Sequence, residues 1–87
     1  MIDIQLVSVH GTGDEVIVKA NTFEDEDDAR NLYDRLTEQY ADQSLPFFED
    51  GESLIRLEIV PTETSNTISE CYFEYSDELK GDIYNRL

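Results

Sequence analysis

Cationic side chains are scarce in this chain: 87 residues hold six lysines and arginines, and only Lys19 and Lys80 are lysines. A protein so poor in positive charge is repelled by free nucleic acid and by anionic membrane surfaces, so direct binding to DNA, RNA or a lipid surface is disfavoured. Cysteine is nearly absent as well. Cys71 stands alone, which excludes an internal disulfide and a multi-cysteine zinc site and fits a reducing compartment. No stretch approaches the ~20 apolar residues of a membrane-crossing helix. The opening Met1-Ile2-Asp3-Ile4-Gln5 has neither the basic residues nor the unbroken apolar run of a signal peptide. These absences point to a soluble, cytoplasmic protein.

Acids outnumber bases throughout. Twenty-one aspartates and glutamates give a formal net charge of −15. Five are consecutive, Glu24-Asp25-Glu26-Asp27-Asp28, and the rest recur along the whole length, so the surface as a whole is anionic. Self-repulsion opposes the compact state, although charges more than about 8 Å apart are largely screened at physiological ionic strength. The apolar content of 39%, with five tyrosines and four phenylalanines, lies above that of disordered acidic chains. One folded domain over residues 1–87 is therefore expected, with a radius of gyration of about 12 Å and a stability of about 4 to 13 kcal/mol.

Ile2, Ile4 and Leu6 alternate with Asp3 and Gln5 and continue into Val7 and Val9, the pattern of a strand. His10-Gly11-Thr12-Gly13-Asp14 supplies a turn, and the β-branched Val16-Ile17-Val18 completes a hairpin. Thr22 is placed to cap a helix running from about residue 23 to 42, with the acids at 24 to 28 where the helix dipole favours negative charge. Its apolar set Ala29, Leu32, Tyr33, Leu36 and Tyr40 defines one core-facing stripe. Leu45 to Glu52 is a loop by its Pro46 and Gly51, and Ile55, Leu57 and Ile59 alternate as a third strand. Residues 61–66 break that strand, and Ile68 to Tyr75 form a fourth, with Cys71, Phe73 and Tyr75 on one side. Ser76, Asp77 and Glu78 open a terminal helix carrying Leu79, Ile83 and Leu87. The order ββαββα fits an α+β fold: an antiparallel sheet of about four strands with two helices gathered on one face.

On the first helix Glu24, Asp27, Asp34, Glu38 and Asp42 project opposite the apolar stripe. They extend over about 27 Å, or one charge per ~5 Å against ~3.4 Å per phosphate along one DNA strand. Arg30 and Arg35, within three or four residues of Asp27, Asp34 and Glu38, are placed to neutralise part of the stripe. Acids from Glu49, Asp50, Glu52 and the outer sheet face would have to complete any imitation of a phosphate backbone. A solvated helix start accounts for the run at 24 to 28 by itself. It does not account for Glu58, Glu63, Glu70 and Glu74 in the sheet and its loops, whereas a partner with a basic groove accounts for both. Adaptation to high internal salt also accounts for both, though only three alanines beside nine aromatics fit it less well.

Other chemistries find little support. Neither 25–28 nor 49–52 meets the register of a calcium loop, and no metal or cofactor site is expected. Carboxylates crowded on solvated surfaces offer no pocket for acid–base work. Cys71 lies mid-strand beside Phe73 and Tyr75 as a small core residue, and His10 adjoins a turn, so the pair is not taken as nucleophile and base. No enzyme is expected. Phe47 and Phe48, next to Glu49 and Asp50, either plug the end of the core or anchor a contact beyond charge, and Tyr72 and Tyr84 carry the same two readings.

In size, charge and motif-free α+β outline the chain resembles the small acidic inhibitors that phages and mobile elements direct against host defence nucleases, the anti-CRISPR and anti-restriction proteins that imitate DNA. That resemblance covers the whole chain as composition and carries no motif. It implies competitive occupation of a basic nucleic-acid-binding groove in a CRISPR-Cas or restriction complex, in the host cytoplasm if the chain is viral. The expectation is a non-enzymatic inhibitor whose partner-binding residues are Glu24, Asp27, Asp34, Glu38, Asp42, Phe48, Glu49, Asp50 and Glu52. The alternatives are an immunity protein or antitoxin that covers a basic nuclease toxin, and a halophilic structural or assembly module. Homodimer formation stays open.

Overall fold

The computed structural model describes residues 1–64 and 66–87. Its elements are β1 (Ile2–Val9), β2 (Glu15–Phe23), α1 (Glu26–Gln39), β3 (Leu54–Pro61), β4 (Ser69–Glu74) and α2 (Asp77–Arg86). The strands form one antiparallel sheet in the order β2-β1-β3-β4, the α+β arrangement that the patterning implied. β1 and β3, the strands with the strongest apolar alternation, fill the centre, where Ile4 opposes Ile59 and Leu6 opposes Leu57. Each half of the chain is a ββα unit.

One face of the sheet carries the core. Ile2, Ile4, Leu6, Ile55, Leu57, Ile59 and Phe73 meet Ala29, Tyr33, Leu36 and Tyr40 from α1 and its end, and Leu79 and Ile83 from α2. Each large aliphatic or phenylalanine side chain fully buried there contributes about 1.5 to 3 kcal/mol, enough in sum to hold a fold that its own surface charge opposes. The radius of gyration is 12.4 Å.

The first helix is shorter than its acidic pattern suggests. β2 continues to Phe23 because Thr22 stays in register with Asp3 and donates its hydroxyl to Asp3 Oδ1 at 2.6 Å. That hydroxyl is committed to the sheet, and the cap is Asp25, whose carboxylate accepts from the backbone N–H of Asp27 at 2.8 Å. At the other end Tyr40 leaves helical geometry, and a short 3-10 turn follows at Ala41–Gln43. Glu24 and Asp42 therefore lie outside α1. The second helix starts as its sequence indicates, with Ser76 Oγ accepting from Leu79 N at 3.2 Å.

Two turns set the position of the loop between α1 and β3. The β1–β2 turn closes through His10 N to Asp14 O at 2.8 Å, with Gly13 at a positive φ of 95°. A side chain at Gly11 would collide with the Gly51 carbonyl, so this turn packs directly on the loop. Leu45 N donates to Tyr72 O at 2.7 Å and Ser44 bridges Phe73, which lays the start of the same loop along β4. Ser65, assigned by sequence to the break after β3, lies outside the described residues. Among the described residues no helix is long and apolar enough to cross a membrane.

Candidate functional site

The α1 stripe contracts to Asp27, Asp34 and Glu38, all exposed, with Glu24 in the connection before the helix and Asp42 in the 3-10 turn after it. Ala29, Tyr33 and Leu36 are buried on the opposite side, so the helix periodicity does separate charge from core. The expected neutralisation takes a different form. Arg30 pairs with Glu26, Nε to Oε2 at 3.5 Å, and among the described residues neither Arg30 nor Arg35 forms an ion pair with Asp27, Asp34 or Glu38. Glu26 sits one turn before Arg30 on a flank of the helix, which leaves the three outermost carboxylates uncompensated.

A second group of acids gathers where β4 passes into α2. A shallow groove of about 420 Å³ is lined by Leu45, Glu52, Ser53, Leu54, Glu74 and Tyr75. A neighbouring groove shares Leu45, Glu74 and Tyr75 and reaches Asp42, and a third sets Glu78 and Asp82 beside Gln43 and Ser76. No lining residue of the three is basic. The fold thus brings Asp42 and Glu52 to one end of the molecule with Glu74, Glu78 and Asp82, of which the last three were not among the expected contact residues. Lys80 lies close by but is engaged: its Nζ donates to Tyr75 Oη at 2.8 Å, and that hydroxyl donates to Asp77 Oδ1 at 2.7 Å. The Tyr75 contact holds the Asp77 carboxyl below its usual range and the Lys80 ammonium above it. At the far end Glu24, Glu26 and Glu63 line a cleft beside the N-terminus, and Glu63 takes the Met1 ammonium at 2.7 Å.

The sheet face turned away from the helices differs from both. Register places Ile17, Val7, Arg56 and Tyr72 in one row across all four strands. Phe48 extends the row, its ring centroid 4.5 Å from that of Tyr72. Arg56 is ion-paired with Glu15 and, Nε to Oε2 at 3.2 Å, with Glu58. The second contact is ionic and not aligned as a hydrogen bond, which leaves Arg56 Nε without a hydrogen-bond partner. Burial acts to lower the Arg56 pKa, but the hydrogen bond to Glu15, the charge of Glu58 and the Tyr72 contact outweigh it and push it up. Glu58 is only 8% exposed, so it belongs to this buried pair and not to the solvent-facing acids expected of the outer sheet. Phe47 and Phe48 are 81% and 41% exposed and do not plug the core, and Ile17 is 58% exposed. Ile17 had no signal of exposure in the sequence, because the register shift at Leu6/Val7 that turns it to this face is not legible from a β-branched triplet.

No family model matches the chain, and no curated protein or solved structure does. Function has to be argued from these surfaces. Cys71 is half-buried on the core side of β4, where burial pushes its thiol up and disfavours the thiolate, while His10 is exposed in the β1–β2 turn. Among the described residues no cluster of three or more His, Cys, Asp or Glu is arranged to hold a metal ion. The nine expected contact residues are all exposed, yet they do not form one surface: Asp27, Asp34 and Glu38 lie on α1, Glu24 in the cleft beside the N-terminus, Phe48 against Tyr72 on the open sheet face with Glu49 and Asp50 next in the loop, and Asp42 and Glu52 at the end between the layers.

Proposed function

We propose that the protein is a non-enzymatic inhibitor that occupies the basic nucleic-acid-binding groove of a protein partner, its carboxylates standing in for phosphates. The reading is carried by one observation: Asp27, Asp34 and Glu38 project from a rigid helix with no ion pair among the described residues to cancel them. Free carboxylates on a fixed scaffold are attracted by a cationic groove and accelerate encounter with it. The three span only about 17 Å of helix, or one charge per ~6 Å, so occupation of a groove also draws on Asp42 and Glu52 at the adjoining end. A defence nuclease of the CRISPR-Cas or restriction type is the partner class that a small acidic protein of this kind suits.

The test is capture from a host lysate at low salt, followed by competition of the captured protein's DNA or RNA binding. The wild type should displace nucleic acid, with an affinity that falls as salt rises, and the triple reversal Asp27→Lys, Asp34→Lys, Glu38→Lys should lose displacement while keeping its fold. Displacement that survives the triple reversal, or that does not change with salt, would refute the proposal.

A further inference from the structure

The open sheet face carries carboxylates, but one row across it is not the polar surface that an antiparallel sheet ordinarily turns to water. That row runs from Ile17 through the buried Val7 and the stem of Arg56 to Tyr72 and Phe48, and Phe47, 81% exposed, directly precedes Phe48 in the loop. Three inter-strand spacings make this row about 14 Å long before Phe48 is added. The charge on the face is one-sided. Asp3, Glu15, Glu58, Glu70 and Glu74 share it with a single cation, Arg56, which two of those carboxylates already neutralise. The other five cations belong to the helical side: Arg30 and Arg35 on α1, Lys80 and Arg86 on α2, and Lys19, whose Nζ donates to the Tyr84 carbonyl of α2 at 3.0 Å. Glu70 and Glu74 flank Tyr72, and Glu49, Asp50 and Glu52 adjoin Phe48; all five are exposed and form no ion pair among the described residues.

We propose that this face docks a basic amphipathic helix of the partner, with apolar side chains on the Ile17–Phe48 row and lysines or arginines on the carboxylate rim. Charge complementarity selects a cationic occupant and disfavours a second copy of a chain with a net charge of −15. The exposed Ile17 and the two phenylalanines supply the apolar anchors that a purely electrostatic groove would not use. A helix laid across the strands would cover about 14 Å in roughly nine to ten residues, and helices already pack on the other face of the same sheet. The inference rests on the proposed function only in taking the partner to be cationic.

The experiment uses the full chain and two fluorescein-labelled peptides of about 14 residues, long enough to overhang the row at 1.5 Å per helical residue. One has leucines at helical i, i+3, i+4 and i+7 spacing with lysines elsewhere, and the other keeps every lysine and replaces leucine by glutamine. Binding is read by anisotropy at about 50 mM and about 500 mM salt, conditions that respectively leave and screen the exposed charges. The leucine peptide should bind at least ~10-fold more tightly than its glutamine counterpart at high salt, as removal of a few buried aliphatic side chains implies. Phe47→Ser with Ile17→Thr should bring the two peptides within ~2-fold of each other, whereas the Asp27, Asp34, Glu38 reversal on the opposite layer should leave the ratio unchanged. Circular dichroism checks that each variant is folded, and Phe47→Ser alone, at the most exposed position, provides a version with least structural effect. Equal affinity for the two peptides, or a ratio that persists in the Phe47/Ile17 variant, overturns the docking surface and leaves the α1 reading to its own test. A ratio that depends on Phe47 and Ile17 but is insensitive to the α1 reversal supports the docking surface even if displacement of nucleic acid fails.

Discussion

Replacing Arg56 by methionine should be the most damaging single change on the open sheet face. Arg56 and Glu58 are 18% and 10% exposed at their side chains, and the guanidinium is the only cation within reach of the Glu58 carboxylate among the described residues. Without it, Glu58 keeps among the described residues only the Thr67 hydroxyl at 3.5 Å, a weak contact for a carboxylate whose side chain is 10% exposed. Removing one partner of a buried pair in this way costs about 3 to 5 kcal/mol, a large share of the roughly 4 to 13 kcal/mol available to a chain of this length. At 4 to 8 °C per kcal/mol, the melting temperature should fall by roughly 12 to 40 °C. The double variant Arg56→Met, Glu58→Leu exchanges the pair for apolar side chains of similar length and should recover most of that loss, since such replacements are often neutral or stabilising. Glu15→Gln, which removes the more exposed partner of Arg56, should cost less than about 1 kcal/mol. Urea denaturation followed by far-ultraviolet circular dichroism gives the three free energies, and the single variant Glu58→Leu closes the Arg56/Glu58 double-mutant cycle that yields their coupling. A loss below about 1 kcal/mol in Arg56→Met, or a double variant no more stable than that single one, would refute the account of Glu58 as a buried charge dependent on Arg56.

Asp25→Ala should destabilise the fold by about 1 kcal/mol and Asp25→Asn by much less, because asparagine retains the cap while losing the charge; equal thermal shifts in the two would show that Asp25 acts by charge and not as a cap. Alkaline pH should also weaken the fold. Burial raises both the Cys71 thiol and, with a smaller opposing effect from the Ser69 contact, the Tyr33 hydroxyl above their ordinary values, so the folded state binds these two protons more tightly than the unfolded chain does. Their contribution is intact below the unfolded values near 8.5 and 10 and is lost as pH rises through the higher folded ones, so melts should be flat to about pH 8 and decline above it. Cys71→Ala with Tyr33→Phe should flatten that decline, and an unchanged alkaline limb in the double variant would contradict the assignment.

Most of the fold could be read from apolar spacing. The period-two runs at 2–9 and 54–61 supply central strands buried on the core side, and the 29, 32, 33, 36 spacing defines the α1 core face. Boundaries were harder to read where two uses of one residue compete. Thr22 has the side chain of a helix cap, but its strand register with Asp3 is a tertiary constraint that no local pattern carries. Glu58 has the alternation of an outward strand residue, and the groups that meet it, Arg56 and Thr67, are set by the folded strands and not by that alternation. The acids of the site were legible as exposed but not as neighbours. Asp42, Glu52, Glu74 and Asp82 converge only because the loop after α1 lies along β4 and α2 begins at the same end.

The placement of the cations changes what the overall charge means. A uniform acidic coat, as salt adaptation would select, gives no reason for five of six cations to sit with the helices while the open sheet face keeps one that is doubly paired. Nor does it explain three large apolar side chains left exposed among the carboxylates of that face and its loop. The α1 stripe and the sheet row lie on opposite layers of a molecule 21 Å through its shortest dimension, so a flat partner can meet only one of them. A partner that wraps around the end where Asp42, Glu52 and Glu74 line adjoining grooves meets both. In such a complex the α1 reversal should mainly change the association rate and its salt dependence, since solvent-exposed charges act through steering. The Phe47 and Ile17 changes should mainly raise the dissociation rate, since desolvated apolar contacts act after docking. Kinetics at two salt concentrations separate the two surfaces whatever the partner's fold, and a Phe47→Ser variant altered only in association rate would be incompatible with apolar anchoring.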